Sequence, residues 1–91
     1  MPEIVWTDYL RYRARLRNYD LELLEEIVRH SSERYFDTQT ERTVIVGRHK
    51  KHLVMIPCEM YDDSIAPVTV HAITRQQISF RLRTGRLTSN G

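Results

Sequence analysis

The stretch Thr43-Val-Ile-Val-Gly-Arg-His-Lys-Lys-His-Leu-Val-Met-Ile-Pro-Cys-Glu-Met-Tyr61 decides the fold of this chain. Two runs of β-branched and apolar residues, 43–47 and 53–61, flank a polar segment at 48–51, which predicts two strands joined by a turn. Pro57 lies inside the second run and indicates a bulge or an edge position. Because the connection is short, we expect the two strands to be antiparallel neighbours.

Further strand patterns lie on both sides of this pair. Tyr35 and Phe36 precede it, separated from it by the polar turn 37–40. Residues 68–73 follow it, after the turn 62–64. Short links between successive strands are typical of a meander. The sequence therefore predicts a four-stranded antiparallel sheet.

Two helices are predicted before this sheet. Apolar positions near a helical period indicate helix one between Trp6 and Arg17. Its start has two candidate caps, Thr7 and Asp8. Residue 20 is an aspartate that can cap helix two, which is expected to end near residue 30.

A third, basic helix is predicted after the sheet. Thr74 and Gln77 have the spacing of a capping box, and Gly85 is the expected helix stop. Ile78 and Leu82 are expected to face the sheet, and Phe80 is a further candidate for that face. The fold class is therefore α+β, with two N-terminal helices, a four-stranded antiparallel sheet and a short C-terminal helix, in one domain of residues 1–91 whose tail from about residue 87 is loose.

Composition places the chain among globular proteins of the cytoplasm. Apolar residues make up 41% and charged residues 29%, a balance that argues against disorder. Cys58 is the single cysteine, so no internal disulfide can form, and its apolar neighbours indicate a small buried residue. The N-terminus lacks a signal-peptide pattern, and the longest apolar run, 53–58, is too short to span a bilayer.

Charge is segregated along the chain, although the net charge is only +2. Residues 1–19 carry four arginines and two acids, residues 20–42 carry seven acids and three arginines, and residues 43–91 carry seven bases and three acids. Such a separation can produce a positive face that meets phosphate, although it also occurs on proteins that bind no anion.

No motif for a metal or a nucleotide cofactor is present in the sequence. The three glycines are isolated, which excludes a phosphate-binding glycine-rich loop. His49 and His52 are three residues apart, but they flank Lys50 and Lys51, whose charges repel a metal ion. We therefore expect no metal and no cofactor.

The remaining candidates fit cleavage of an RNA phosphodiester without a metal, a reaction that needs a proton acceptor or donor and cations around the phosphate. His71 alternates with the apolar residues Val70 and Ala72, so it is expected on the opposite face of its strand. His71 is the candidate acid or base; the alternative is a half-exposed histidine bonded to a neighbouring strand. Candidates for binding phosphate or a base are Lys50, Lys51, Arg75, Arg81, Arg83, Tyr61 and Tyr35, with a solvated helix face as the alternative for the arginines.

The order of these segments resembles the BrnT-like branch of the RelE toxin superfamily and related small bacterial domain families. The resemblance is carried by the patterns at 19–27, at 35–37 and at 41–47, and by Val68-Thr-Val-His71-Ala-Ile-Thr-Arg75 with Arg81 and Gly85-Arg86 behind it. It implies a ribonuclease toxin that cleaves messenger RNA, in or out of a ribosome, and that a cognate antitoxin neutralises. His71, Arg75 and Arg81 would be its catalytic residues.

One position departs from that family pattern. Related families often begin with a histidine followed by arginines at four-residue intervals, whereas here Tyr9 stands in the histidine position before Arg13 and Arg17. A purely structural face is the alternative, since residues at this spacing align on any helix. Two other functions stay open: a non-catalytic module of the same fold that docks RNA or an acidic protein, and a structural subunit that pairs through a sheet edge.

Overall fold

The computed structural model describes residues 2–89, and within them it has three helices and one mixed sheet. Helix α1 (Asp8–Leu16) is capped by the Thr7 side chain, which accepts the backbone N–H of Leu10. Helix α2 (Leu21–His30) follows the predicted cap Asp20. Helix α3 (Arg75–Arg83) begins with the predicted capping box. The α+β class and the three helices are confirmed.

Seven strands are assigned within residues 2–89, three more than the sequence predicts. They are β1 (Glu3–Ile4), β2 (Glu33–Asp37), β3 (Arg42–His49), β4 (His52–Met60), β5 (Ser64–Pro67), β6 (His71–Ala72) and β7 (Leu87–Thr88). Their order is β1-β5-β4-β3-β2-β7, and β6 also pairs with β4. The central pair β3 and β4 is the antiparallel pair predicted from the quoted stretch.

The predicted fourth strand, 68–73, is wrong as one continuous strand. Strand β5 pairs with residues 58–60 of β4 and β6 with residues 54–55, which leaves a gap at Pro57. The Pro57 carbonyl accepts the N–H of Val68, but proline has no N–H to return a second bond. Because the second hydrogen bond of the pair is missing at Pro57, the segment that runs alongside β4 is divided into two short strands, β5 and β6.

Two-residue strands at the two ends complete the sheet, and neither follows from the sequence pattern. Strand β1 pairs parallel with β5, and β7 pairs antiparallel with β2. Leu87 is fully buried, which corrects the expectation of a loose tail from residue 87. One buried side chain is too short a pattern to predict a strand. Residues 90 and 91 lie outside the described part of the chain.

The sheet has an apolar core on each face. The core under α1 and α2 contains Ala14, Leu24, Ile27, Val28, Ile45, Val54, Ile56, Cys58, Ile65 and Val70. The core under α3 contains Val44, Val46, Leu53, Met55, Ile73, Ile78 and Leu87. Strands β3 and β4 therefore bury both of their faces, which explains their nearly continuous apolar sequence.

Only one of the three residues expected on the sheet side of α3 is buried. Ile78 lies in the core, whereas Phe80 and Leu82 are exposed. Phe80 is two residues from Ile78, about 200° around the helix, so it points away from the sheet. Leu82 lies in the last turn of a nine-residue helix.

His49 belongs to a strand and not to the predicted polar turn at 48–51. It pairs with His52, so that only Lys50 and Lys51 form the turn. The buried His49 ring accepts the backbone N–H of Asp20 at Nε2 over 2.8 Å and lies edge-on to Tyr19. Burial and the Lys50 charge lower the pKa of His49. Cys58 is buried as expected, and burial raises its pKa to about 12, so the thiol stays protonated.

Gly47 permits the close approach of α2 to the sheet, and we expect Gly47→Ala to destabilise the fold. A Cβ at this position would lie 2.7 Å from Cγ2 and 2.9 Å from Cγ1 of the buried Ile27. Overpacking of this kind costs about 1–3 kcal/mol of the free energy of unfolding, to be measured by urea denaturation. In an Ile27→Ala background the same glycine change should cost little; an equal loss in both backgrounds would contradict the steric explanation.

The three described helices are nine or ten residues long, and none of them has the length or apolar composition of a membrane-spanning helix. Localisation in the cytoplasm stays a prediction.

Candidate functional site

His71 lies on the α3 face of the sheet. It pairs across the ladder with Met55, which belongs to the core under α3, whereas the preceding residue Val70 belongs to the core under α1 and α2. Residues that oppose each other in an antiparallel pair share a face. His71 therefore projects from the face opposite to Val70, as its alternation with apolar residues predicts. It is partly buried.

Arg13 of α1 reaches His71 around the edge of the sheet. Its Nε donates a hydrogen bond to the Val70 carbonyl at a distance of 3.3 Å, and its Nη2 lies 3.2 Å from Nδ1 of His71. Since a guanidinium can only donate, Nδ1 accepts in this contact and the ring proton of neutral His71 is on Nε2. Helix one thus contributes to the site through the second position of the Tyr9, Arg13 and Arg17 series.

A cleft of about 400 Å³ opens beside His71, between the sheet and α3. We call it the His71 cleft and define it by Asp37, Arg42, Met55, His71, Arg81 and Arg86, which lie along its wall. Three of these six residues are arginines, supplied by β3, by α3 and by the segment that precedes β7. The cleft therefore gathers cations from segments that are distant in sequence.

Two arginines of the cleft are already neutralised by carboxylates. Arg42 Nε lies 2.6 Å from Glu59 Oε2, and Arg86 Nε lies 2.8 Å from Oδ1 of the buried Asp37. Although burial raises the pKa of Asp37, the bonds from Arg86 and from two backbone N–H groups hold it below its ordinary value. These two pairs form part of the frame of the cleft.

Arg13 and Arg81 have no such partner. Within residues 2–89, neither guanidinium lies within 4.0 Å of a carboxylate. Among the described residues, the Arg81 side chain forms one hydrogen bond, a weak one from Nη1 to the Met55 sulfur at 3.5 Å. Two cations without a carboxylate partner among the described residues therefore lie near His71: Arg13, which contacts its ring, and Arg81, which lines the same cleft. This arrangement favours binding of an anion.

Burial, together with nearby cations, keeps His71 neutral. Burial and then the charges of Arg13, Arg17 and Arg81 lower its pKa below the ordinary value of 6.5. At neutral pH the imidazole is therefore uncharged and can accept a proton. An anion bound in the cleft would offset the arginine charges and favour protonation.

Thr69 adds a hydroxyl to the wall of the cleft. Its Oγ1 is buried, and no group among the described residues forms a hydrogen bond with it. A hydroxyl without a protein partner can donate to an oxygen of a bound ligand. Among the same residues, no group of three or more His, Cys, Asp or Glu side chains is placed to hold a metal ion.

The structure brings together two of the three residues predicted as catalytic. His71 and Arg81 both line the cleft. Arg75 points elsewhere, because its Nη1 and Nη2 donate to the Glu33 carboxylate over 2.5 and 2.9 Å. These two hydrogen bonds lower the pKa of Glu33. The Glu33 carboxylate also neutralises Arg75, the cation that was expected to bind phosphate.

The residues predicted to bind RNA are spread over the molecule. Lys50 and Lys51 form the turn between β3 and β4, and Tyr61 follows the opposite end of β4. Arg83 lies on α3 over the ring of Phe80, with its Cζ 5.9 Å from the ring centroid. None of these four residues lines the His71 cleft. Tyr35, the other aromatic candidate, donates its hydroxyl to Glu33 over 2.6 Å.

The other residues of the cleft could be predicted only in part from the sequence. Arg13 stood out through its spacing, but nothing in the sequence places helix one beside His71. Arg42 and Arg86 have no local pattern, since each is brought to the cleft by the strand order. Thr69 lies in the segment predicted as strand, where its hydroxyl had no visible role.

Comparison of the chain with protein-family models, with curated proteins and with solved structures finds no match in any of the three. The likeness to BrnT-like toxins rests on the sequence patterns alone.

The Arg13 contact predicts a measurable change in His71. Replacing Arg13 by methionine keeps much of the apolar stem and removes the charge, so the pKa of His71 should rise towards its ordinary value. NMR titration of the imidazole protons measures this shift. Arg15→Met, an equal loss of charge at an exposed position of α1, is the control and should leave the His71 titration unchanged. Equal shifts in both variants would show a general charge effect instead of a direct contact.

Proposed function

We propose that this protein is a metal-independent endoribonuclease, the toxin of a toxin-antitoxin pair, and that it cleaves messenger RNA in the His71 cleft. The observation that carries the proposal is that neutral His71 contacts Arg13 and lines the same cleft as Arg81, two cations without carboxylate partners among residues 2–89. A proton acceptor beside unneutralised cations is what phosphodiester cleavage requires.

The reaction would use the RNA's own 2′-hydroxyl. His71 takes the proton of this hydroxyl, the 2′-oxygen forms a bond to phosphorus, and the bond from phosphorus to the 5′-oxygen breaks. The leaving oxygen takes a proton from water, protonated His71 returns its proton to the hydroxide so formed, and the products are a 2′,3′-cyclic phosphate and a 5′-hydroxyl. Arg13 and Arg81 stabilise the negative charge on the phosphoryl oxygens, and Thr69 is placed to donate one further hydrogen bond.

Substrate binding has to release Nδ1 of His71 before this nitrogen can act as base. In the free protein Arg13 occupies it over 3.2 Å. A phosphate oxygen is a stronger partner for a guanidinium than a neutral ring nitrogen, because the pair is ionic and can be bidentate. The incoming phosphate therefore draws Arg13 from His71 and exposes the basic nitrogen.

The cleft contributes one proton-transfer group, which predicts slow cleavage of free RNA and faster cleavage where a ribosome orients the strand.

The same contact supports a second candidate function, a non-catalytic module that docks RNA or an acidic protein. If Arg13 keeps its bond to Nδ1 when the ligand is bound, His71 offers only its Nε2–H, and the cleft binds an anion without turnover. The two functions share the cations and differ in the role of His71.

The deciding experiment is tightly induced expression of the chain alone in bacteria, followed by mapping of RNA ends. We expect growth to stop and new 5′-hydroxyl ends to accumulate, and we expect Arg81→Ala at the same protein level to relieve both effects. Arg15→Ala, at an exposed position of α1, should stay toxic.

Each result separates the candidate functions. Growth arrest with new ends that depend on Arg81 supports the nuclease. Unimpaired growth, together with folded protein that binds single-stranded RNA in vitro, would favour the docking module. Folded protein that neither stops growth nor binds RNA would overturn both.

A further inference from the structure

A second groove opens beside the His71 cleft, along the side of α3 next to the turn between β2 and β3. Its volume is about 660 Å³, and its wall includes Gln39, Gln76, Gln77, Phe80, Arg81 and Arg86. We call it the Phe80 groove, because Phe80 is its one aromatic residue. The ring is 58% exposed, although it lies on a short helix with few apolar residues.

The exposure of Phe80 has no structural purpose in the described fold. The contact of α3 with the sheet is made by Ile78, on the opposite side of the helix. Single exposed apolar side chains are common on protein surfaces, so the exposed ring alone does not mark a binding site; its position in a groove lined by polar side chains does. The groove around Phe80 is lined by the amides of glutamines and the guanidinium groups of arginines. Such a lining favours a ligand that has both a planar part and an anionic part.

The two openings are continuous. Gln77, Arg81 and Arg86 line both the His71 cleft and the Phe80 groove. No carboxylate is among the described residues that line the groove, whereas Arg81 brings a cation that has no carboxylate partner. Arg83 adds further positive charge beside the ring. A ligand that fills both openings therefore has its anionic part at Arg81 and a planar, uncharged part at Phe80.

We propose that the Phe80 groove binds an unpaired nucleobase of the RNA, next to the phosphate held in the His71 cleft. The proposal rests on the proposed function and adds a base-binding subsite to it. An aromatic face beside cations is the combination by which proteins hold single-stranded nucleic acid, because every base can stack on the ring. Phe80 is the stacking residue of this subsite.

The glutamines provide contacts to the edge of the base. Gln77 Oε1 accepts the backbone N–H of Thr74, so its amide nitrogen remains to donate. Gln76 is exposed at the first turn of α3, and its amide can both donate and accept. An amide pair of this kind favours bases that carry both a donor and an acceptor on one edge.

The test measures how the protein binds two labelled probes of equal length by fluorescence anisotropy. One is a single-stranded oligoribonucleotide; the other has the same ribose-phosphate backbone without bases. Phe80→Ala should weaken binding of the oligoribonucleotide about tenfold, which corresponds to the loss of one base stack, and should leave binding of the abasic probe unchanged. Phe80→Tyr should restore the affinity.

Phe36→Ala is the matched control. Phe36 is an exposed phenylalanine of β2 that alternates with Tyr35 of the α3 core, so it lies on the other face of the sheet. Equal losses for Phe80→Ala on both probes, or equal affinities of the wild type for both probes, would overturn the base subsite alone. Failure of the wild type to bind either probe would overturn the proposed function and the subsite with it.

Discussion

Replacing His71 by alanine is expected to slow RNA cleavage by about 100- to 10,000-fold, the usual contribution of a positioned general base. The loss should appear in the rate of the bound complex and much less in the affinity, because Arg81, which lines the cleft, and Arg13, which reaches His71 from α1, remain to hold the phosphate. Single-turnover cleavage of a labelled RNA at saturating protein measures the rate, and anisotropy measures the affinity.

A second variant, Arg81→Ala, tests whether the base and the cations have different roles. Arg81→Ala should weaken RNA binding and also slow the bound complex, since it removes a cation whose contact strengthens as charge develops on the phosphate. Arg15→Ala, an equal loss of charge on an exposed part of α1, is the control. Undiminished cleavage by His71→Ala, with folding verified by circular dichroism, would remove His71 from the mechanism.

The pH dependence of cleavage follows from the sign of the His71 shift. A general base works in its neutral form, and burial and the neighbouring arginines lower the pKa of His71 below 6.5. The rate constant at subsaturating protein, which reports the pKa of the free protein, should therefore be constant at neutral pH and should fall only in acid, as the ring becomes protonated. In Arg13→Met the pKa of His71 rises, so the fall should begin at a higher pH.

The local elements of this fold could be predicted from the sequence because their signals are local. Thr74 and Gln77 are three residues apart and form the predicted capping box, and Asp20 caps α2 through a bond to the N–H of Glu22. Strands β3 and β4 were visible because both of their faces are buried. Backbone geometry and nearby side chains suffice for such predictions.

The assembly of the site could be predicted only in part, because it depends on contacts between distant segments. His71 stood out by its alternation, and Arg81 by its place on a basic helix. Arg13 reaches His71 from 58 residues away, and Arg86 reaches Asp37 from 49 residues away. Arg75 pairs with Glu33, 42 residues away, and so does not reach the cleft; this pairing is also a contact between distant segments. Partners at such separations are set by the strand order, which no local pattern encodes.

Asp37 is the residue whose loss should destabilise the fold most among the charged groups of the cleft. Its buried carboxylate accepts from Arg86 Nε at 2.8 Å and from the backbone N–H groups of Gln39 and Thr40 at 2.9 and 3.2 Å. One carboxylate thus holds the turn between β2 and β3 and also fastens the segment before β7. We expect Asp37→Ala to lower the free energy of unfolding by about 2–4 kcal/mol, measured by urea denaturation.

Glu59→Ala is the matched control, since it also removes the carboxylate partner of a cleft arginine. The pair of Glu59 with Arg42 is solvent-exposed, with side chains 42% and 35% accessible, so its loss should cost less than about 1 kcal/mol.

The pH dependence of stability gives a second test of Asp37. The folded pKa of Asp37 is lowered, so its stabilisation is complete above the ordinary value of 3.8 and is lost as the pH falls through the folded pKa. The difference in stability between wild type and Asp37→Ala should therefore be constant near neutrality and shrink in acid; a difference that persists undiminished in strong acid would mean that packing, and not the charge, makes Asp37 important.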